Sequence, residues 1–114
     1  MNDLKIAELY LNRNKSAKDR KVEFSLTFNE CKKLLLKKTC HYSGIKLTDD
    51  TNRFNSREID RIDNSKGYIT GNVVACARTI NQLKSKFENP TYFFTIESEI
   101  KTLQKIQDTM DKAK

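Results

Sequence analysis

The stretch Glu58 to Phe87, EIDRIDNSKGYITGNVVACARTINQLKSKF, limits the possible folds more than any other part of this chain. EIDRID alternates apolar and polar residues, the period of a half-buried strand, and ends in the turn residues DNSKG. YITGNVVACA then reads as a second strand. RTINQLKSKF changes to helical spacing. The segment is therefore a strand, a loop bounded by turn residues, a strand and a helix, and the fold class is α+β.

The flanks read as helical. Leu4, Ala7 and Leu11, with Ile6 and Tyr10 beside them, suit one short amphipathic helix, which NRNKSAKDRK interrupts as an exposed linker or a basic arm tracking a polyanion backbone. VEFSL suits a short strand. TFNECKKLLLKK carries a capping-box signature, Thr27 with Glu30, and places Phe28, Cys31, Leu34 and Leu35 on one face. CHYSGIKL reads as a turn, with Gly44 at its left-handed position. Thr91 to Lys114 lacks Gly and Pro and repeats Ile96, Ile100, Leu103, Ile106 and Met110 at helical spacing. It is expected to be a long helix whose stripe packs on the protein's own core or on a second copy, anchored by Phe93 and Phe94. At 114 residues the chain is expected to form one domain.

Charge narrows the partner. Twenty-two basic against 15 acidic residues give a net +7, with bases clustered at 13–21, 32–38 and 78–86. That balance favours a polyanion, or simply a well-solvated surface. No apolar run approaches the roughly 20 residues that span a bilayer, and Met1 to Leu11 lacks a signal-peptide pattern. The expected setting is cytoplasmic, with no membrane partner. Three cysteines and no CxxC pair argue against a disulfide framework.

Cys40, Tyr42 and Gly44, followed by Asp60 to Asn64, Lys66, Gly67, Tyr68, Gly71, Asn72 and Val73, and then by Asn81 and Lys84, resemble the HNH endonuclease superfamily, particularly the small HNH-like proteins of bacteriophages. The resemblance covers about two fifths of the chain. It implies a ββα-metal core over 40–88, between an N-terminal helical and basic segment (1–39) and a C-terminal helix (89–114). It further implies a divalent-metal-dependent nuclease acting on DNA, expected to be double-stranded, with Mg²⁺ or Mn²⁺ held by Asp60 and Asn81. Asn72 would fix the loop and orient the base. Lys66, Arg78, Lys84 and Lys86 would meet backbone phosphates.

Two positions depart from the family pattern. Arg61 stands where the family has its catalytic histidine. Arginine stays protonated and offers no acceptor, so it cannot serve as general base. It can clamp a phosphate or stabilise developing charge, or pair with Asp63 or Glu58. His41, the only histidine, could enter the site from the preceding turn and supply the base, or could simply be exposed. The family's zinc brace would fall on Cys40, Ser43, Ala77 and Ile80, and with one thiol among four positions no structural zinc is expected. Ala77 and Ile80 would pack as apolar substitutes, with Cys40 a small buried hydrophobe. The alternative to a nuclease is a catalytically inactive HNH-like protein that binds nucleic acid or inhibits a protein partner.

Overall fold

The computed structural model describes all residues, Met1–Lys114, as an α+β chain with four helices and one two-stranded antiparallel sheet. In chain order these are α1 (Asp3–Asp19), α2 (Phe28–Leu35), β1 (Arg57–Arg61), β2 (Val73–Ala77), α3 (Arg78–Glu88) and α4 (Ile96–Lys112). The chain divides into two compact units, Met1–Asn81 and Gln82–Lys114, with the boundary inside α3.

The first unit is built around the sheet. β1 and β2 pair in the register Arg57↔Ala77, Asp60↔Val74 and Arg61↔Val73. One core lies among Ile6, Leu26, Cys31, Leu34, Leu35 and Ile59, with Tyr10, Phe24, Phe28 and Tyr68 packed against it. A second, smaller core joins Cys40, Leu47, Ala75, Cys76 and Ala77, with Ile80 against them. Cys40, Ala77 and Ile80 thus pack together as the sequence suggested.

The expected break in the first helix does not occur. α1 runs unbroken through residues 12–19, with Asn2 Oδ1 accepting from the Lys5 N–H at its start. No Gly or Pro lies within it, and Lys, Arg and Ala all sustain helix well. Its inward face is Ile6, Tyr10 and Ala17 rather than Leu4 and Leu11, which are exposed. Ile6 and Ala17 are eleven positions apart, about three turns, and both are fully buried. The basic residues 13–19 therefore belong to a docked helix, not to a linker or arm.

Helix α2 starts at the expected capping box. Glu30 N–H donates to Thr27 Oγ1 (3.1 Å) and Thr27 N–H to Glu30 Oε1 (3.0 Å). VEFSL, by contrast, reduces to one parallel bridge between Phe24 and Tyr68. That bridge is held by Tyr68 N–H to Glu23 O (2.8 Å) and Ser25 N–H to Tyr68 O (3.0 Å). The second strand is also shorter than expected, because Gly71 turns with a positive φ of 83° and only Val73–Ala77 pairs.

Gly67 is what permits the bridge. A Cβ on it would lie 2.6 Å from both Glu23 Cβ and Glu23 O. Gly67→Ala should therefore push the 23–25 segment away from 67–69, and urea denaturation should show a stability loss of about 1–3 kcal/mol. An unchanged midpoint would mean that the bridge contributes nothing to folding.

The second unit contains the rest of α3 and α4. Thr95 caps α4, with Ser98 N–H donating to Thr95 Oγ1 (3.1 Å) and Thr95 N–H to Ser98 Oγ (3.0 Å). Tyr92 stacks with Phe87, Phe93 and Phe94 at centroid distances of 4.8–6.3 Å. The expected packing of the apolar stripe on a core is not found. Ile96, Ile100, Leu103, Ile106 and Met110 are all exposed, and so is Phe93, at 81%. No helix is long and apolar enough to cross a membrane.

Candidate functional site

Strand alternation sorts the side chains of β1 between two faces. Ile59 and Arg61 share the face that carries the larger core, where Ile59 is buried and Arg61 lies over the Tyr68 ring, 5.3 Å from its centroid. Glu58 and Asp60 occupy the other face, about two strand rises apart, or roughly 7 Å. Asp60 is only 5% exposed, a buried carboxylate.

Each of these carboxylates meets a polar group from a distant segment. Tyr42 Oη donates to Asp60 Oδ2 at 3.0 Å. Asn81 Nδ2, from the first turns of α3, donates to Glu58 Oε1 at 2.8 Å. The structure thus brings together Asp60, Glu58, Asn81 and Tyr42. Glu58 entered the sequence reading only as a possible partner of Arg61 and not as part of the site, although the E-x-D spacing on an alternating strand already places both carboxylates on one face.

His41 lies beside this group, with its ring edge-on to the Tyr42 ring at a centroid distance of 5.1 Å. It is exposed and lines a cleft of about 340 Å³ with Val74, the cross-strand partner of Asp60. The His41 N–H donates to Ala75 O (2.9 Å), which fixes the turn against β2. Tyr42 therefore touches both His41 and Asp60.

Arg61 lies elsewhere. Its Nη1 donates to Asn64 O (3.2 Å) and Lys66 O (3.0 Å), holding the carbonyls of the loop after β1. Asn72 braces the same loop from within. Its Nδ2 donates to Asp63 O (3.1 Å) and Gly67 O (2.9 Å), and its Oδ1 accepts from Asp63 N–H (2.9 Å).

The remaining basic candidates are dispersed. Lys66 is exposed on the loop. Arg78 Nη1 donates to Asn52 Oδ1 at 3.3 Å. In the second unit Lys84 pairs with Glu88 at 2.7 Å, and Lys86 is exposed.

No group of three or more His, Cys, Asp or Glu side chains is placed to hold a metal ion. The two buried thiols Cys40 and Cys76 have sulfurs 3.9 Å apart, although Cys76 is one residue off the position expected from the HNH resemblance. Their environments drive them in opposite directions. Burial pushes the Cys40 thiol up, but hydrogen bonds from the Ser43 side chain and from the backbone of Ser43, Ala77 and Tyr42 outweigh it and bring it down to about 7. Cys76 is pushed up to about 12, first by burial and then by Cys40, Asp60 and Glu58.

The reactive form of a thiol is the thiolate. A lowered value means that Cys40 gains its thiolate as pH rises through about 7, where Cys76 remains protonated. Both thiols are shielded from solvent, so iodoacetamide should label neither quickly in the folded protein, and the order of labelling at about pH 7 should be Cys40 before Cys76. Peptide mapping checks this, and preferential labelling of Cys76 would contradict it.

No family model matches the chain, and no solved structure matches it significantly. It is 39% identical over 72 residues to an uncharacterized 29.0 kDa protein from the dda-modA intergenic region of Enterobacteria phage T4. The match covers 63% of this chain and 29% of that protein, so the chain corresponds to less than a third of its relative's length.

Proposed function

We propose that this chain is a small divalent-metal-dependent HNH-like endonuclease that hydrolyses DNA phosphodiester bonds. The observation that carries the reading is the convergence of β1 and α3, with Asn81 on Glu58 and with Asp60 on the same strand face. The order β1, braced loop, β2, α3 is that of a ββα-metal motif, and the net +7 suits a polyanionic substrate.

The donors available are all oxygens: the carboxylates of Asp60 and Glu58 and the amide Oδ1 of Asn81. This set fits Mg²⁺ or Mn²⁺, because Mg²⁺ commonly binds through one or two carboxylates and completes its shell with water and substrate phosphate. When bound, such an ion supplies Lewis-acid polarisation of the scissile phosphate. Tyr42 holds the Asp60 carboxylate in position, and Asn72 keeps the loop after β1 in one shape. His41 takes the proton from the attacking water, because it adjoins Tyr42 on the Asp60 side while Arg61 has no acceptor to offer. Arg61 acts as a brace for the loop carbonyls of Asn64 and Lys66. Backbone phosphates are met by Lys66, Arg78, Lys84 and Lys86, contacts that add affinity without reading sequence.

Two observations favour a second reading, a catalytically inactive binder of nucleic acid or of a protein partner. No three His, Cys, Asp or Glu side chains of the candidate site are placed to hold one metal ion, and the position of the histidine expected from the HNH resemblance is occupied by an arginine tied to the loop. Incubation of the purified chain with supercoiled plasmid and Mg²⁺ or Mn²⁺ separates the two. The nuclease reading expects nicked circles that EDTA prevents. Intact plasmid in every divalent condition, with duplex binding retained, would replace it with the inactive binder.

A further inference from the structure

We propose that the cleft between the end of α1 and the loop after β1 is a phosphate subsite for a nucleic-acid backbone, separate from the Asp60 face. The inference rests on the nucleic-acid reading above and adds a second place of contact to it.

Lys21, Arg61 and Lys66 line one open cleft of about 420 Å³ together with Glu23, Ser65 and Gly67. Arg20, next to Lys21 in the chain, lines a neighbouring cleft with Tyr68, its guanidinium 5.6 Å from the Tyr68 centroid and its Nη2 donating to Tyr68 Oη at 3.0 Å. Arg61 lies over the same ring at 5.3 Å. One tyrosine therefore gathers two guanidiniums next to two lysines, and Glu23 is the one carboxylate lining the cleft. Lys21 and Lys66 form no ion pair. Like charges collected this way repel one another, and an anion bound among them relieves that repulsion.

The backbone is also constrained where it brings these cations together. Lys21 has a φ of 58°, a left-handed conformation usually given to Gly or Asn. It is held there by Lys21 N–H to Lys18 O (3.0 Å) and Val22 N–H to Ala17 O (2.8 Å). On the other wall, only a glycine at 67 lets the loop approach Glu23. Both features bring Lys21, just after α1, alongside Lys66.

A phosphodiester suits the cleft because its two terminal oxygens can accept from a guanidinium and from ammonium groups at once. The cleft is open and charged rather than enclosed and apolar, which favours a passing polymer over a captured small molecule. Arg61 points to the face of β1 opposite Asp60, so this contact should not require a divalent ion.

The test is fluorescence anisotropy with a labelled 20-base-pair duplex in EDTA, titrated with salt. In the double variant Lys21→Gln with Lys66→Gln, two phosphate contacts are lost. The log–log salt slope should fall by about 1.8, at about 0.9 per contact. The control Lys101→Gln with Lys105→Gln removes the same net charge from α4 and should leave the slope unchanged. Equal slopes for the two double variants would overturn the subsite while leaving duplex binding, and the function proposed above, intact. Failure of the wild-type chain to bind any duplex at low salt would overturn both. Displacement of the duplex by inorganic phosphate, at ionic strength matched with chloride, would make this a free-phosphate site and overturn the backbone assignment.

Discussion

Asp60→Asn is expected to lower divalent-dependent nicking by about 10²–10³-fold or more, the scale seen when one electrostatic contact to a transition state is removed. The substitution keeps the size of the side chain and retains an oxygen to accept from Tyr42 Oη, so the 3.0 Å hydrogen bond can persist. It removes the charge that a hard cation needs. It also relieves repulsion with Glu58 on the same strand face, so thermal stability should hold or rise slightly. Asp60→Ala is the harsher variant, because it strands the Tyr42 hydroxyl and should cost about 1 kcal/mol. Circular dichroism melts and plasmid assays on the same preparations separate activity from fold. Full activity in Asp60→Asn would remove Asp60 from the mechanism.

His41→Ala should lower the cleavage rate by about 10²–10⁴-fold, the usual contribution of a general base. Duplex affinity should stay near wild type, since an exposed imidazole beside Tyr42 carries none of the proposed phosphate contacts. Arg61→His, by contrast, should give no gain in rate. A histidine there would lie on the Ile59 face of β1, across the strand from Asp60, and the loop carbonyls of Asn64 and Lys66 would lose their donor. Wild-type cleavage in His41→Ala would sink the assignment of the base, and a large gain in Arg61→His would show that the two faces communicate more directly than strand alternation allows.

The parts of this architecture that were legible in the sequence are those set by local rules. The Thr27–Glu30 capping box spans three residues and fixes the start of α2 by itself. The alternation of EIDRID locates β1, and Gly44 locates its turn with a φ of 74°. What sequence reasoning missed depends on partners far along the chain. Polar residues 12–19 look like a linker until Ala17, too small to mark a face, is seen packed away at 0% exposure. Phe24 needs Tyr68 to become a bridge. Glu58 becomes a candidate through Asn81, and Tyr42 gains its role through Asp60. Cys76, one place off the spacing expected from the HNH resemblance, still reaches Cys40, because the pairing of His41 with Ala75 brings the two backbones side by side. The stripe on α4 has clear helical spacing, yet spacing alone does not say what will cover it, and here it is exposed.

The bridge between Phe24 and Tyr68 has a consequence for the order in which the chain acquires structure during synthesis. Its two sides lie about 44 positions apart, and closing so long a loop must precede any gain from the contact. Ile6 likewise finds its core partner Ile59 only after the intervening residues have left the ribosome. Helix α1 can meet Leu26 and the face of α2 once those residues are made, but the core it belongs to is not closed by Ile59 and Tyr68 until the chain has reached roughly residue 70. Its basic surface is on offer to any polyanion nearby throughout that interval, before the proposed catalytic residue Asn81 has been made.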